Sequence, residues 1–268
     1  MGVLQRIYKK LTQKSRLDIY EEILQLALDK GYRVCSLYDW YKSDKQGKIF
    51  ILRHDVDIDV QGAERMFEIE KRLGVNATYY FRNTTKDYAL IKKMKSHNFE
   101  VGLHYETIAD YCKIWNIKSV DDASSIDYRV CASILEEEIE NWKHEYGDLK
   151  SICAHGDKRN RMLRVPNRII FDEELRRKTF VFIDACDKDL MEQFDTYISD
   201  TSVVNNHKWK YGVSPQEVIC RGDKTIMLLT HPTHWNYNFF KAIKALYRGF
   251  NEDMLNHVYR KERLKKYL

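Results

Sequence analysis

One stretch constrains this chain more than any other: Ile49-Phe50-Ile51-Leu52-Arg53-His54-Asp55-Val56-Asp57. Four apolar residues in a row read as a strand buried on both faces, and the run ends abruptly in Arg-His-Asp-Val-Asp. Strand side chains alternate faces with period two, so Arg53, Asp55 and Asp57 share one face while His54 and Val56 take the other. Two carboxylates leaving a buried strand on the same side repel each other. They need a cation, a shared proton or a nearby guanidinium.

Elsewhere, strand-like runs alternate with helical periodicity. Strands are expected at 48–55, Val75 to Phe81, Phe99 to His104, Leu149 to His155, Thr179 to Asp184, Thr196 to Ser199 and Thr225 to Thr230. An extra N-terminal helix opens near Ser15 and Asp18 and ends at Gly31. Others carry Ala63 to Leu73 and Leu90 to Met94, and a long one starts near Ser125. A final amphipathic helix runs from Phe239 to Tyr259. About seven strand–helix units mean parallel strands joined by crossovers, and they fit a barrel better than an open sheet. With three prolines and no Gly/Ser-rich linker, nothing marks a boundary, and the chain reads as one domain over 1–268.

Active sites of such folds gather at the C-terminal ends of the strands. Here those ends carry His54-Asp55-Val56-Asp57, His104-Tyr105-Glu106, His155-Gly156-Asp157, Ser199-Asp200 and His231-Pro232-Thr233-His234-Trp235. Five of the nine histidines fall in these few positions, a concentration that chance placement does not give. Asp59 reads as a helix cap, Asp157 as a turn residue and His54 as a structural histidine on the opposite face. Asp55 and Asp57 from one strand end, and His104, His155 and His231 from three others, should converge on one rim. That mixture of Asp and His suits zinc or another divalent first-row metal.

The bulk numbers exclude more than they assign. The excess of 45 basic over 40 acidic residues is modest, and part of it lies in the tail from Tyr259 to Lys266, so a nucleic-acid partner is not expected. The six cysteines form no CxxC pair, which removes zinc-ribbon and thioredoxin readings. No apolar run approaches the ~20 residues of a membrane span. A cytoplasmic protein, at most leaning on a membrane surface, is expected; oligomeric state is not legible.

With these motifs in place, the chain resembles the polysaccharide deacetylases of the NodB-homology type, carbohydrate esterase family 4. Within them it is similar to a branch with an Arg-His-Asp-Val-Asp first motif found among surface-polysaccharide biosynthesis proteins. The resemblance covers roughly residues 20 to 236. It implies a distorted (β/α)7 TIM-like barrel and a divalent metal, zinc first, with cobalt, nickel or manganese as alternatives. It also implies removal of an N-acetyl group from a carbohydrate. Carried over, Asp55 would be the general base, Asp57 a metal ligand and His231, in Leu229-Thr230-His231, the general acid. The second motif keeps His104 but has Ile108 where a second histidine is usual, which leaves His155 as the replacement ligand and Glu106 as a weaker one. Asp200 would tune the site and Arg53 would hold Asp55. Tyr105, Trp235 and Tyr80 are available to stack on a sugar, and Arg159 and Arg161 to meet a phosphate or carboxylate. Two other readings stay open: a non-catalytic sugar-binding relative, and a metal hydrolase acting on an O-acetyl ester or another non-peptide C–N bond.

Overall fold

A computed structural model gives the architecture and describes residues 15–202, 209–236 and 261–262. Its strands are β1 (Arg33–Cys35), β2 (Ile49–Val56), β3 (Thr78–Phe81), β4 (Glu100–Tyr105), β5 (Ser151–Ala154), β6 (Ile183–Asp184), β7 (Thr196–Ser199) and β8 (Thr225–Thr230). All pair in parallel, in the order β6-β5-β4-β3-β2-β8-β7. β1 shares one flank of β2 with β3: it pairs from Arg33↔Ile49 to Cys35↔Ile51, and β3 takes over at Arg53↔Thr78. The sheet curls into a distorted (β/α)7 barrel, open between its edge strands β6 and β7.

β2 shows why an uninterrupted apolar run was needed, since every one of its eight residues is buried. Phe50, Leu52 and Val56 join the layer between sheet and helices. Ile49 and Ile51 face inward with Trp40, Tyr80, Cys153 and Met227. The same alternation then carries Arg53 and Asp55 inward, at the C-terminal end of the strand. On β4, two strands along from β2, Gly102 is obligatory, because a Cβ there would lie 2.5 Å from the Ser151 carbonyl oxygen and 2.6 Å from the Tyr80 ring.

Two elements close the barrel away from the site. Helix α1 (Leu17–Asp29) buries Tyr20, Ile23, Leu24 and Ala27. Helix α2 (Leu37–Lys42) covers the strands' N-terminal ends, where the Leu37 N–H donates to Thr78 Oγ1 at 2.8 Å and the Tyr38 N–H to Glu100 Oε2 at 2.8 Å. With that floor plugged, the polar strand ends lie at the opposite, C-terminal end. The remaining helices are α3 (Val60–Leu73), α4 (Tyr88–Ser96), α5 (Thr107–Ile114), α6 (Tyr128–Tyr146), α7 (Lys158–Leu163), α8 (Glu173–Thr179), α9 (Lys188–Met191) and α10 (Pro215–Arg221).

Several boundaries depart from the sequence reading. Ser15 does not cap α1: Arg16 stands at that position without a side-chain cap, and Ser15 Oγ donates to the Trp235 carbonyl at 3.4 Å. The long helix starts at Tyr128, because Asp127 accepts from the Arg129 and Val130 N–H groups. Thr179 closes α8 and the chain turns at Phe180 (φ 51°), so the fifth expected strand shrinks to the two residues of β6. The three-residue β1, α2 and α5 were not expected. The helix expected over Phe239 to Tyr259 lies outside the described residues, as does the basic tail apart from Lys261 and Glu262. Among the described residues no helix is long and apolar enough to cross a membrane.

Candidate active site

β2 brings a guanidinium and a carboxylate to the barrel mouth already joined. Arg53 Nε donates to Asp55 Oδ1 and Nη2 to Asp55 Oδ2, both at 2.9 Å, and Nη1 donates to the Ala185 carbonyl at 3.0 Å. Both side chains are buried. Burial by itself raises a carboxyl, but the Arg53 charge and then the His104 imidazole outweigh it and hold Asp55 below its ordinary value. Asp55 is therefore an ionised carboxylate with fixed orientation.

Just past the strand, the Asp57 N–H turns back to the Asp55 carbonyl at 3.1 Å, and the Asp57 side chain meets two imidazoles. Asp57 Oδ1 is 3.4 Å from His104 Nε2 and 3.6 Å from His155 Nε2. Yet this oxygen is buried and has no hydrogen-bond partner. The far nitrogens explain which lone pairs face it. His104 Nδ1 lies 2.9 Å from the Cys153 carbonyl, which only accepts, so Nδ1 carries a proton, and Nε2 either presents a lone pair to a metal or, without one, takes the proton that Asp55 and Asp57 favour by holding His104 above its ordinary value. His155 Nδ1 lies 3.3 Å from Glu106 Oε2, within reach of its charge but without a formed hydrogen bond. Two imidazole lone pairs and a carboxylate oxygen aimed at one point repel unless something positive sits between them. Ligand atoms sharing a tetrahedral zinc ion stand about 3.3 Å apart, which matches these separations. The donor set fits a divalent cation, and the partners behind the rings are those that orient metal-binding histidines.

Three other groups of the same residue types are placed differently. Around Asp200, Oδ1 lies 2.6 Å from His231 Nδ1, and Oδ2 accepts the His231 N–H and the Trp235 indole N–H, each at 2.8 Å, while His234 Nδ1 stands 3.2 Å from Oδ2 without a formed hydrogen bond. Such spacing leaves room for a proton and none for an ion. Glu106 has both oxygens on Arg82 at 2.8 Å, and Arg82 also donates to the Asp57 carbonyl at 3.1 Å. Glu106, held by Arg82, thus stands beside the His155 ring with its charge already paired. Asp55 and Cys153 are both already served by the Arg53 guanidinium.

His231 completes the mouth opposite Asp55, with Nε2 at 3.9 Å from Asp57 Oδ2. Burial lowers an imidazole, but the hydrogen bond and charge of Asp200 override it and push His231 up to about 9. The same bonds hold Asp200 well below the usual carboxylate range against its own burial. Across one small opening, a carboxylate is kept ionised and an imidazole kept protonated.

The residues expected to touch substrate are placed less uniformly. Tyr80, Tyr105 and Trp235 are fully buried. Tyr105 donates to Asp184 Oδ2 at 2.9 Å, and Trp235 packs on Tyr20 while bonding Asp200, so both are parts of the wall. Arg159 is turned away, with its guanidinium on the Ile117 and Cys112 carbonyls. Arg161 reaches the Gly156 carbonyl at 2.6 Å. His54 sits behind the strand, between Thr230 Oγ1 at 2.6 Å and Glu70 Oε1 at 2.8 Å. Asp59 caps α3 by accepting from the Gly62 N–H at 2.9 Å, and Asp157 caps α7. Arg82 escaped the sequence reading; its signal was a charge directly following the buried strand β3.

No family model and no curated protein matches the chain. Among solved structures it is similar to a CE4 family pseudoenzyme from Bacillus anthracis, at 15% identity over 78% of this chain and 62% of that one, with a TM-score of 0.42. It is also similar to the peptidoglycan deacetylase PdaC from Bacillus subtilis, at 12% identity over 84% of this chain and 98% of that one, TM-score 0.43. A family 4 carbohydrate esterase from Bacillus anthracis follows at 13% identity, 92% and 86% coverage and TM-score 0.37. The chain spans just under two thirds of the pseudoenzyme's length.

Proposed function

We propose that this protein is a metal-dependent hydrolase that removes an N-acetyl group from a sugar during surface-polysaccharide synthesis. The observation that carries this reading is the geometry around Asp57. Its unpartnered Oδ1 and the Nε2 atoms of His104 and His155 stand one cation apart, flanked by the Asp55 carboxylate on one side and the His231 imidazole on the other. A bound divalent ion, zinc first and cobalt, nickel or manganese as alternatives, would supply Lewis acidity toward an acyl carbonyl and acidify water.

The remaining chemistry belongs to the chain's own groups. Asp55, ionised and aimed by the Arg53 fork, accepts the proton of the attacking water. His231 carries its proton on Nε2 toward the mouth, because Nδ1 is held by Asp200, and gives it to the departing amine nitrogen. Amine expulsion without that proton would be strongly uphill. Setting the two pKa values apart assigns base and acid at neutral pH. Glu106, held by Arg82, stands beside the His155 ring, whose Nε2 faces Asp57.

Acetate release from N-acetylated sugars tests the reading. Wild type should release acetate, and Asp55→Asn should be slower by about a hundredfold or more while still folded. Equal turnover in the two proteins would remove Asp55 as the base.

A further inference from the structure

At the wall of the mouth, two sulfurs meet behind the Arg53–Asp55 pair. Cys153 lies on β5 and Cys186 two residues past β6, and these strands are neighbours, paired at Ser151↔Ile183 and Ile152↔Asp184. The two Sγ atoms are 3.6 Å apart. Both sit against one nitrogen: Arg53 Nη2 lies 2.6 Å from Cys153 Sγ and 3.8 Å from Cys186 Sγ, and the same nitrogen holds Asp55 Oδ2 at 2.9 Å. The remaining cysteines are placed differently. Cys35, Cys112 and Cys131 are buried, and burial pushes their thiols up, while Cys220 is exposed. Of the pair, Cys153 is buried, but Cys186 is half-buried and lines a cavity of about 310 Å³ beside His155, which gives a small molecule a way to its sulfur. The hydrogen bond with Cys153, and then the Arg53 charge, draw the Cys186 thiol down to about 6 against its burial. A thiolate beside a guanidinium, with a second thiol in reach, is the arrangement of an oxidisable pair.

We propose that Cys153 and Cys186 form a redox-sensitive pair, which a hydroperoxide converts to a disulfide that shifts the Arg53 fork under Asp55. Cys186 sulfur attacks the outer oxygen of the peroxide. The O–O bond breaks, an alcohol or water leaves, and the sulfur becomes a sulfenic acid. Cys153 sulfur then attacks Cys186: the S–S bond forms, the S–O bond breaks, and the hydroxyl leaves as water with the Cys153 proton. Together the two sulfurs give up the two electrons that reduce the peroxide, and an external dithiol returns them by exchange. Closing 3.6 Å to a bond of about 2.05 Å moves the sulfurs by about 1.5 Å relative to each other. The guanidinium that rests on both must follow, and with it the carboxylate that it aims. The bond rests on the sulfur geometry alone; its effect on turnover rests on the deacetylase reading.

Peptide mass mapping tests the bond, and acetate release tests its effect. The full chain, purified reduced and then exposed to hydrogen peroxide, should yield a cross-linked Cys153–Cys186 peptide pair that dithiothreitol releases. Cys186→Ser should give no such pair, and Cys220→Ser should still give it. Acetate release by wild type should fall about tenfold or more on oxidation and return on reduction, whereas the same treatment should slow Cys186→Ser by less than about twofold. Absence of the cross-linked pair from oxidised wild type would overturn the proposal. So would turnover that falls equally in wild type and Cys186→Ser, or that is unchanged once the pair has formed. The bond is read by mass, so a protein that forms it yet releases no acetate in either state would keep the redox pair and lose the deacetylase reading.

Discussion

His231 Nδ1 lies 2.6 Å from Asp200 Oδ1, while the other oxygen of that carboxylate takes the His231 main-chain N–H at 2.8 Å. The carboxylate thus fixes both the ring and the backbone that carries it. Because this pairing pushes His231 up to about 9, the imidazolium is present below that pH and lost above it. The rate of acetate release should fall as pH rises through about 9. Asp200→Asn removes the largest of the charges that raise His231 while Asp57 and Asp55 remain, so its alkaline limb should move down toward the ordinary histidine value of 6.5. A pH–rate profile of the two proteins checks this, and an unmoved limb would mean that another group is the acid.

The same pair contributes to stability with a definite sign. A folded-state pKa raised above 6.5 means that the contribution is complete below 6.5 and is lost as pH climbs toward about 9. Urea unfolding of wild type should therefore weaken over that window relative to Asp200→Asn/His231→Gln, which lacks the titrating pair.

Arg53 and Asp55 make a prediction of another kind. Both are buried, so removing one leaves the other charged and unpaired. Arg53→Ala should cost about 3–5 kcal/mol by chemical denaturation, the range for breaking a buried pair from one side. Arg53→Lys should recover part of the stability but less of the activity, since an ammonium cannot make the two parallel bonds that aim Asp55.

Behind the sheet, Glu70 gathers Tyr20, Tyr79 and His54 in a fully buried network that ties α1 to the barrel. Tyr20→Phe leaves one Glu70 oxygen short of a donor and should destabilise by about 1–3 kcal/mol. Metal content should not change, because the network lies on the face of β2 opposite Asp57. Thermal unfolding together with metal analysis separates the two effects.

How far the sequence carried can be seen on β2 and β4. Period two in Ile49 to Asp57 was enough to put Arg53 with Asp55 and His54 on the other side, because a strand's geometry is local. The barrel followed from alternation of strand and helix. Short elements read less well: β1 was missed and β6 was expected too long, because three and two residues hold no readable period and their pairing with β2 and β5 is a long-range fact. The substrate face was harder still. Tyr105 and Trp235 have the composition of a sugar platform, but neighbours remote in sequence, Asp184 and Tyr20, fill their surroundings. Arg159 could not be told from Arg161 until the loop placed the Ile117 carbonyl beside it. The Arg82–Glu106 pair likewise needs β3 and β4 side by side.

Metal content of the purified protein tests the central claim most directly. Elemental analysis of wild type should find about one divalent ion per chain, and Asp57→Ala and His104→Ala should each lose it, since a three-ligand site rarely survives the loss of one donor. His155→Ala should lose it as well, whereas Asp55→Asn should keep the ion and lose turnover. Wild type carrying no more zinc, cobalt, nickel or manganese than Asp57→Ala and His104→Ala would contradict the claim that these residues form a metal centre.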